Sequence, residues 1–145
     1  MSKHYSSGAE LSAKTLRGVN ILADNVASTL GPRGRTVLLQ RAGRRPFVSK
    51  DGVTVADHVV LDDPIENAAV QILKQASSQT NALAGDGTTT SMVLARAILR
   101  EAQKHVVAGV APIQVKRALD RATATLLNNL SELATPIQSE EDISH

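Results

Sequence analysis

Residues 81–102 read NALAGDGTTTSMVLARAILREA. Gly85 and Gly87 bracket Asp86, and Thr88, Thr89 and Thr90 follow where a helical pattern of apolar residues begins. A helix N-terminus presents backbone N–H groups without intrahelical partners and the positive end of the helix dipole, so an anion is favoured there without any side chain. Glycines let a phosphate chain approach closely, because no Cβ stands in the way. Asp86 would repel that phosphate unless a cation lay between them, a role suited to Mg²⁺ with its preference for one or two carboxylates plus phosphate oxygens. The same residues also spell an ordinary interhelical turn with a threonine cap. Neither the Walker pattern nor a dinucleotide fingerprint is present, since the third glycine and the preceding strand are missing. On these residues alone both readings stand.

Working outward, apolar residues at Leu11, Val19, Leu22, Ala23, Val26 and Leu30 recur at helical steps from Ala9 to Leu30, and GPRGR (31–35) stops them. TVLLQ (36–40) and PFVS (46–49) read as a β-hairpin joined by RAGRR, with a basic tip at Arg41, Arg44 and Arg45. VTVADHVVL (53–61) reads as a further short strand or extended piece. Asp63, Pro64 and Glu66 form a helix start: a carboxylate cap, a proline where no amide is needed, and an acid placed to return a bond to the cap. Ile65, Ala69, Ile72, Ala76 and Leu83 then share a face up to Gly85. A second helix is expected from about Thr88 to Ala108, stopped by Gly109. A third opens at Pro112, with Val115, Leu119, Ala122, Leu126, Leu130 and Leu133 on one face. The last ten residues, PIQSEEDISH, leave that periodicity without a closing element, as expected of a chain cut short.

The chain has 145 residues, the length of one ordinary domain, and 42% hydrophobic content, enough for a core. With one Phe, one Tyr and no Trp, that core must be built from Ala, Val, Leu and Ile, and stacking platforms for single-stranded nucleic acid are not expected. Cysteine is absent, which removes disulfides, zinc-thiolate sites and thiol nucleophiles. No apolar run approaches the roughly 20 residues that cross a bilayer, and MSKHYSSGAE has the character of neither a secretory nor a transit peptide. A cytoplasmic location is the expectation. A net charge of +2 does not by itself nominate nucleic acid.

Two further stretches carry weight beside GDGTTT: TLGPRGR from Thr29, a second glycine-rich helix boundary, and SKDGVTV from Ser49, a tight turn with Lys50 and Asp51 beside Gly52. LRGVNILADNVASTLGPRGR, KDGVTVA and AGDGTTT, in that order and at these separations, with APIQVKRALDRA in the third helix, resemble the N-terminal portion of a group I chaperonin, the GroEL type. The similarity runs through almost the whole chain.

The resemblance implies a mainly α fold: residues 1–134 as the N-terminal half of the multihelical equatorial, ATP-binding domain with a small β-hairpin, and residues 135–145 as the truncated start of an intermediate-domain segment. It implies that Thr29, Leu30, Gly31 and Pro32 line the nucleotide pocket, with Lys50 nearby through its backbone. Asp86 would bind Mg²⁺, Gly87, Thr88, Thr89 and Thr90 would hold phosphate oxygens, and K⁺ would touch Thr29, Lys50 and Thr89. Asp51 matches a carboxylate that positions or deprotonates the attacking water, and could equally be an Asx-turn residue. Its partner aspartate, the substrate-binding apical domain and the adenine side of the pocket would lie beyond this chain, so ATP binding without efficient turnover is expected. Helix faces left uncovered predict a marginally folded, associating protein.

Arg33 stands where lysine is common in the family, and QRAGRRPF is more basic than the usual hairpin, which in the family reaches the neighbouring subunit. The arginines there read most simply as solvated. Three functions compete: an ATP-dependent protein-folding chaperonin subunit in a homo-oligomeric ring; a non-enzymatic module that joins and modulates rings of a full-length chaperonin; and a basic helical protein touching nucleic acid through Arg33, Arg35, Arg41, Arg44 and Arg45. In the first two, unfolded proteins and a co-chaperonin would engage only through the apical domain.

Overall fold

The computed structural model describes residues 4–40 and 43–134. Arg41 at the hairpin tip and the segment expected to begin an intermediate domain, 135–145, lie outside the described residues. The fold is mainly α: α1 (Gly8–Ala27), β1 (Val37–Leu39), β2 (Phe47–Ser49), α2 (Gly52–His58), α3 (Pro64–Ala84), α4 (Thr88–Val107) and α5 (Pro112–Leu133). The chain divides into two compact units, Met1–Gln103 and Lys104–His145.

In the first unit α1 packs on α3 and α2 around Val19, Leu22, Val26, Val55, Ala69, Val70 and Leu73, with Leu39 and Met92 completing the core. The close approach of α1 to α3 needs Gly18, because a Cβ there would sit 2.4 Å from the Glu66 carbonyl oxygen. β1 and β2 pair antiparallel with Val37 opposite Ser49, Leu38 opposite Val48 and Leu39 opposite Phe47. The pleat sends Leu39 into the core and leaves Leu38 and Val48 exposed.

Four expectations need correction. VTVADHVVL is not a strand over its first part: residues Gly52–His58 form α2. Asp51 decides this, since its carboxylate accepts from the backbone N–H groups of Val53 and Thr54 at 3.3 and 2.9 Å, which nucleates a helix against the β-preference of Val-Thr-Val. Val59 is extended, and Val60 and Leu61 lie outside helix and strand. The buried face of α3 is Glu66, Ala69, Val70, Leu73 and Ser77 rather than the face through Ile72, Ala76 and Leu83, of which Ile72 is 69% and Leu83 91% exposed. The true face carries two polar residues, so an apolar count rotates the helix by about one residue. Glu66 reaches Arg17 on α1 at 3.1 Å instead of serving the expected capping box. Finally, α1 ends at Ala27, because the Ser28 and Thr29 hydroxyls donate to the Asn25 and Val26 carbonyls and the last turn tightens to i→i−3 bonds.

The remaining boundaries fall as the sequence signals them. Asp63 caps α3 through Ile65 and Glu66 N–H, Pro64 opens it, and Gly85 closes it at φ 74°. Gly109, at φ 97°, ends α4. Taken by itself, α5 starts at Pro112 and contains no buried residue; its stripe through Leu119, Leu126, Leu130 and Leu133 is open. No helix among the described residues is long and apolar enough to cross a membrane.

Candidate nucleotide site

Three motifs that are distant in sequence meet at Gly52. A Cβ placed on Gly52 would lie 2.1 Å from Thr89 Oγ1 and 3.2 Å from Thr29 Oγ1, and Gly52 itself is buried. The C-terminal end of α1, the first residue of α2 and the first turn of α4 therefore converge on one corner, and only glycine fits between the two hydroxyls. Lys50 and Asp51 directly precede Gly52 and are exposed there.

The loop after α1 is held tightly. Arg35 N–H donates to Ser28 O at 2.7 Å and Gly34 N–H to Gly31 O at 2.9 Å, while a Cβ on Gly34 would come within 2.3 Å of the Thr29 carbonyl. Gly31 takes φ 76° to make the turn. Thr29 is half-buried with its hydroxyl on Val26 O, whereas Leu30, Gly31 and Pro32 stand exposed on the outside of the loop.

At the head of α4, the capping position falls on Gly87, whose carbonyl accepts the first helical bond from Ser91 N–H and which has no side chain to offer the first turn. Asp86 turns back on the loop and accepts from Gly87 N–H at 2.6 Å. Thr88 is the first helical residue and not the cap, so the ordinary threonine-capped turn is not what forms. Among the described residues nothing accepts from the backbone N–H groups of Thr88, Thr89 and Thr90. The turn is instead anchored from behind: Ser77 on α3 is buried and donates to the Thr88 carbonyl at 2.7 Å, and Ser91 Oγ lies 2.8 Å from the same oxygen.

Asp51 is committed to α2. Besides the two backbone bonds, its Oδ2 accepts from the Thr54 hydroxyl at 2.6 Å, and the Thr54 hydroxyl and N–H hold the carboxyl below its ordinary value. Both oxygens thus serve the helix cap, the Asx role left open by the sequence. The structure joins Thr29, Gly52 and Thr89 by contact, and places Lys50, Asp51, Gly87, Thr88 and Thr90 on the chain beside them. Leu30, Gly31 and Pro32 follow Thr29 on the exposed side of the loop, and Asp86 precedes Gly87.

Tested against these residues, a phosphate chain fits: three open amides, glycines at 85 and 87 with positive φ, and hydroxyls on Thr89 and Thr90 are groups that a phosphate chain would need. Mg²⁺ fits only as an ion shared between Asp86 and a ligand's own oxygens, since no group of three or more His, Cys, Asp or Glu among the described residues could hold a metal. Gly52, and Ser77 behind the turn, were missed in the sequence. The only signal for Ser77 was its place on the core face of α3, a polar residue one turn beyond Leu73.

The order of the three glycine-bearing motifs and their convergence at Gly52 accord with comparison to known families, in which the model of the TCP-1/cpn60 chaperonin family matches residues 22–145, and the chain belongs to that family.

Proposed function

We propose that this chain is the ATP-binding equatorial portion of a group I chaperonin subunit, in which the Thr29–Gly52–Thr89 corner and the α4 N-terminus receive the triphosphate. Membership of the family gives the chaperonin role and oligomeric assembly in general terms; the nucleotide, the ions and the residue roles are the proposal. The observation that carries it is the meeting of Thr29, Gly52 and Thr89 beside unbonded helix amides.

In this reading the Thr88, Thr89 and Thr90 amides, with the Thr89 and Thr90 hydroxyls, hold phosphate oxygens, and Gly87 lets them approach. Asp86 holds Mg²⁺, which when bound neutralises phosphate charge. Thr29 and Thr89, with the Lys50 backbone, are the residues for K⁺. Thr29, Leu30, Gly31 and Pro32 form the loop that lines the nucleotide. Asp51 orients water by hydrogen bonding rather than by taking its proton, because its oxygens already accept three bonds and its basicity is lowered. Turnover by this chain is accordingly slow or absent.

Titration calorimetry of the full chain with MgATP tests the proposal. Saturable binding is expected, lost on chelation of Mg²⁺ and weakened at least about tenfold, roughly 1.4 kcal/mol, by Asp86→Ala. Absence of binding, or binding indifferent to both Mg²⁺ and Asp86, overturns it. Affinity for nucleic acid that falls steeply with salt and ignores nucleotide would favour the basic surface of Arg33, Arg35, Arg44 and Arg45 instead. The second reading, a non-enzymatic module for rings of a full-length chaperonin, draws on the open apolar stripe of α5. Its mark would be co-purification with a longer chaperonin.

A further inference from the structure

Ser77 is 1% exposed on the core face of α3, one turn beyond Leu73, and it spends its proton on a backbone carbonyl of another helix. The acceptor, Thr88 O, lies in the first turn of α4 and has a second lone pair to give. Ser91 Oγ lies 3.2 Å from Ser77 Oγ and 2.8 Å from Thr88 O, so its single proton serves one of them at a time, and both arrangements converge on the same carbonyl.

The Thr88 carbonyl and the Thr89 N–H belong to one rigid peptide plane and point in opposite directions. A bond that pulls the oxygen toward α3 therefore aims the Thr89 N–H away from α3. We propose that Ser77 is a positioning residue of the phosphate-binding turn, setting the direction of the Thr89 amide through the Thr88–Thr89 peptide plane. The inference rests on the nucleotide reading given above. It assigns the work to Ser77 rather than Ser91, because the Ser91 bond to Thr88 O stays within α4 and cannot fix that helix against another element.

Wild type, Ser77→Ala and Ser91→Ala are titrated with MgATP at a temperature where each is folded by circular dichroism, and the Thr89 amide resonance is followed in nitrogen-15 spectra without nucleotide. Ser77→Ala is expected to weaken MgATP roughly five- to tenfold, the worth of one hydrogen bond between buried groups, and to move the Thr89 resonance. Ser91→Ala is expected to stay within about twofold of wild type. A merely structural serine would lower the thermal midpoint and leave both the Thr89 resonance and the affinity in place, and that result overturns the inference. So does an equal or larger loss in Ser91→Ala, which also decides the matter if Ser77→Ala does not fold. A wild type that binds no MgATP overturns the nucleotide reading itself. Wild-type binding lost in Asp86→Ala but unchanged in Ser77→Ala overturns this inference alone.

Discussion

Helices α3 and α4 meet at Gly85–Gly87 yet begin in opposite ways. At α3, Asp63 supplies a carboxylate to the Ile65 and Glu66 amides and pairs with Lys14 at 2.7 Å, so the helix start is closed by the protein's own groups. At α4, Gly87 supplies nothing and the amides of the first turn have no acceptor among the described residues. α1 and α5 also start without a side-chain cap, so an open start is not in itself a mark of function. What separates α4 is that its first turn is gripped from behind by Ser77 and faces Gly52 and Thr29 in front. On the proposed reading, the buried serine aims the amides of that turn and leaves them uncovered for an anion.

The strongest way to break this contrast is Gly52→Ala. The added carbon would lie 2.1 Å from Thr89 Oγ1 and 3.2 Å from its Cβ, so the Thr89 hydroxyl must turn away from Gly52 and its Cβ must give ground. A loss of about 2–3 kcal/mol in urea unfolding is expected, the range for overpacking a tight contact, together with the loss of MgATP binding. A variant as stable as wild type would show that the corner is looser than described.

Next come the caps. Asp51→Ala is expected to cost about 1 kcal/mol in the same measurement, and Asp63→Ala to lower the urea midpoint further, because it also removes one of the two carboxylates that Lys14 pairs with. Gly87→Ser tests the other side. At φ 85° a side chain is strained, so a residue that usually improves a helix start should here destabilise by roughly 1 kcal/mol and weaken MgATP. A stabilised Gly87→Ser protein would mean that α4 merely lacks a cap.

These same residues mark how far the sequence reaches. The α3 bounds were legible because cap, proline and glycine stop are local signals at Asp63, Pro64 and Gly85, and the hairpin was legible as two short β-prone runs around Leu38 and Val48 joined by a basic turn. α2 was not, because Val53-Thr54-Val55 satisfies a strand pattern and only the bonds from Asp51 tip the balance. The face of α3 was misread at Glu66 and Ser77, where polar groups are buried against a partner that no local pattern reveals. Of the site, Asp86 and the threonines stood out from the glycine-flanked helix start itself as one of two readings, and the family resemblance gave them roles. Gly52 against Thr89 is a contact across 37 positions, which spacing alone does not encode.

The smallest expected effect is also the one that separates charge from geometry in the contrast between α3 and α4. The Lys14 ammonium, followed by the Glu66 N–H, holds the Asp63 carboxyl at about 2 against an ordinary 3.8. A carboxyl whose folded value is depressed binds its proton more weakly in the folded protein, so its stabilising contribution is full above about pH 4 and is lost as pH falls toward 2. Asp51, also lowered, adds in the same direction. Asp63→Asn keeps an amide oxygen for the cap and discards the charge. Urea midpoints measured from pH 5 down to 2 should therefore fall less steeply in Asp63→Asn than in wild type, with the two curves converging at the acid end. Because Lys14 and Asp63 are both partly exposed, water screens the pair and the difference is small. Parallel curves would mean that Asp63 closes α3 as a hydrogen-bond acceptor alone, and that α3 and α4 differ in where their amides point rather than in charge.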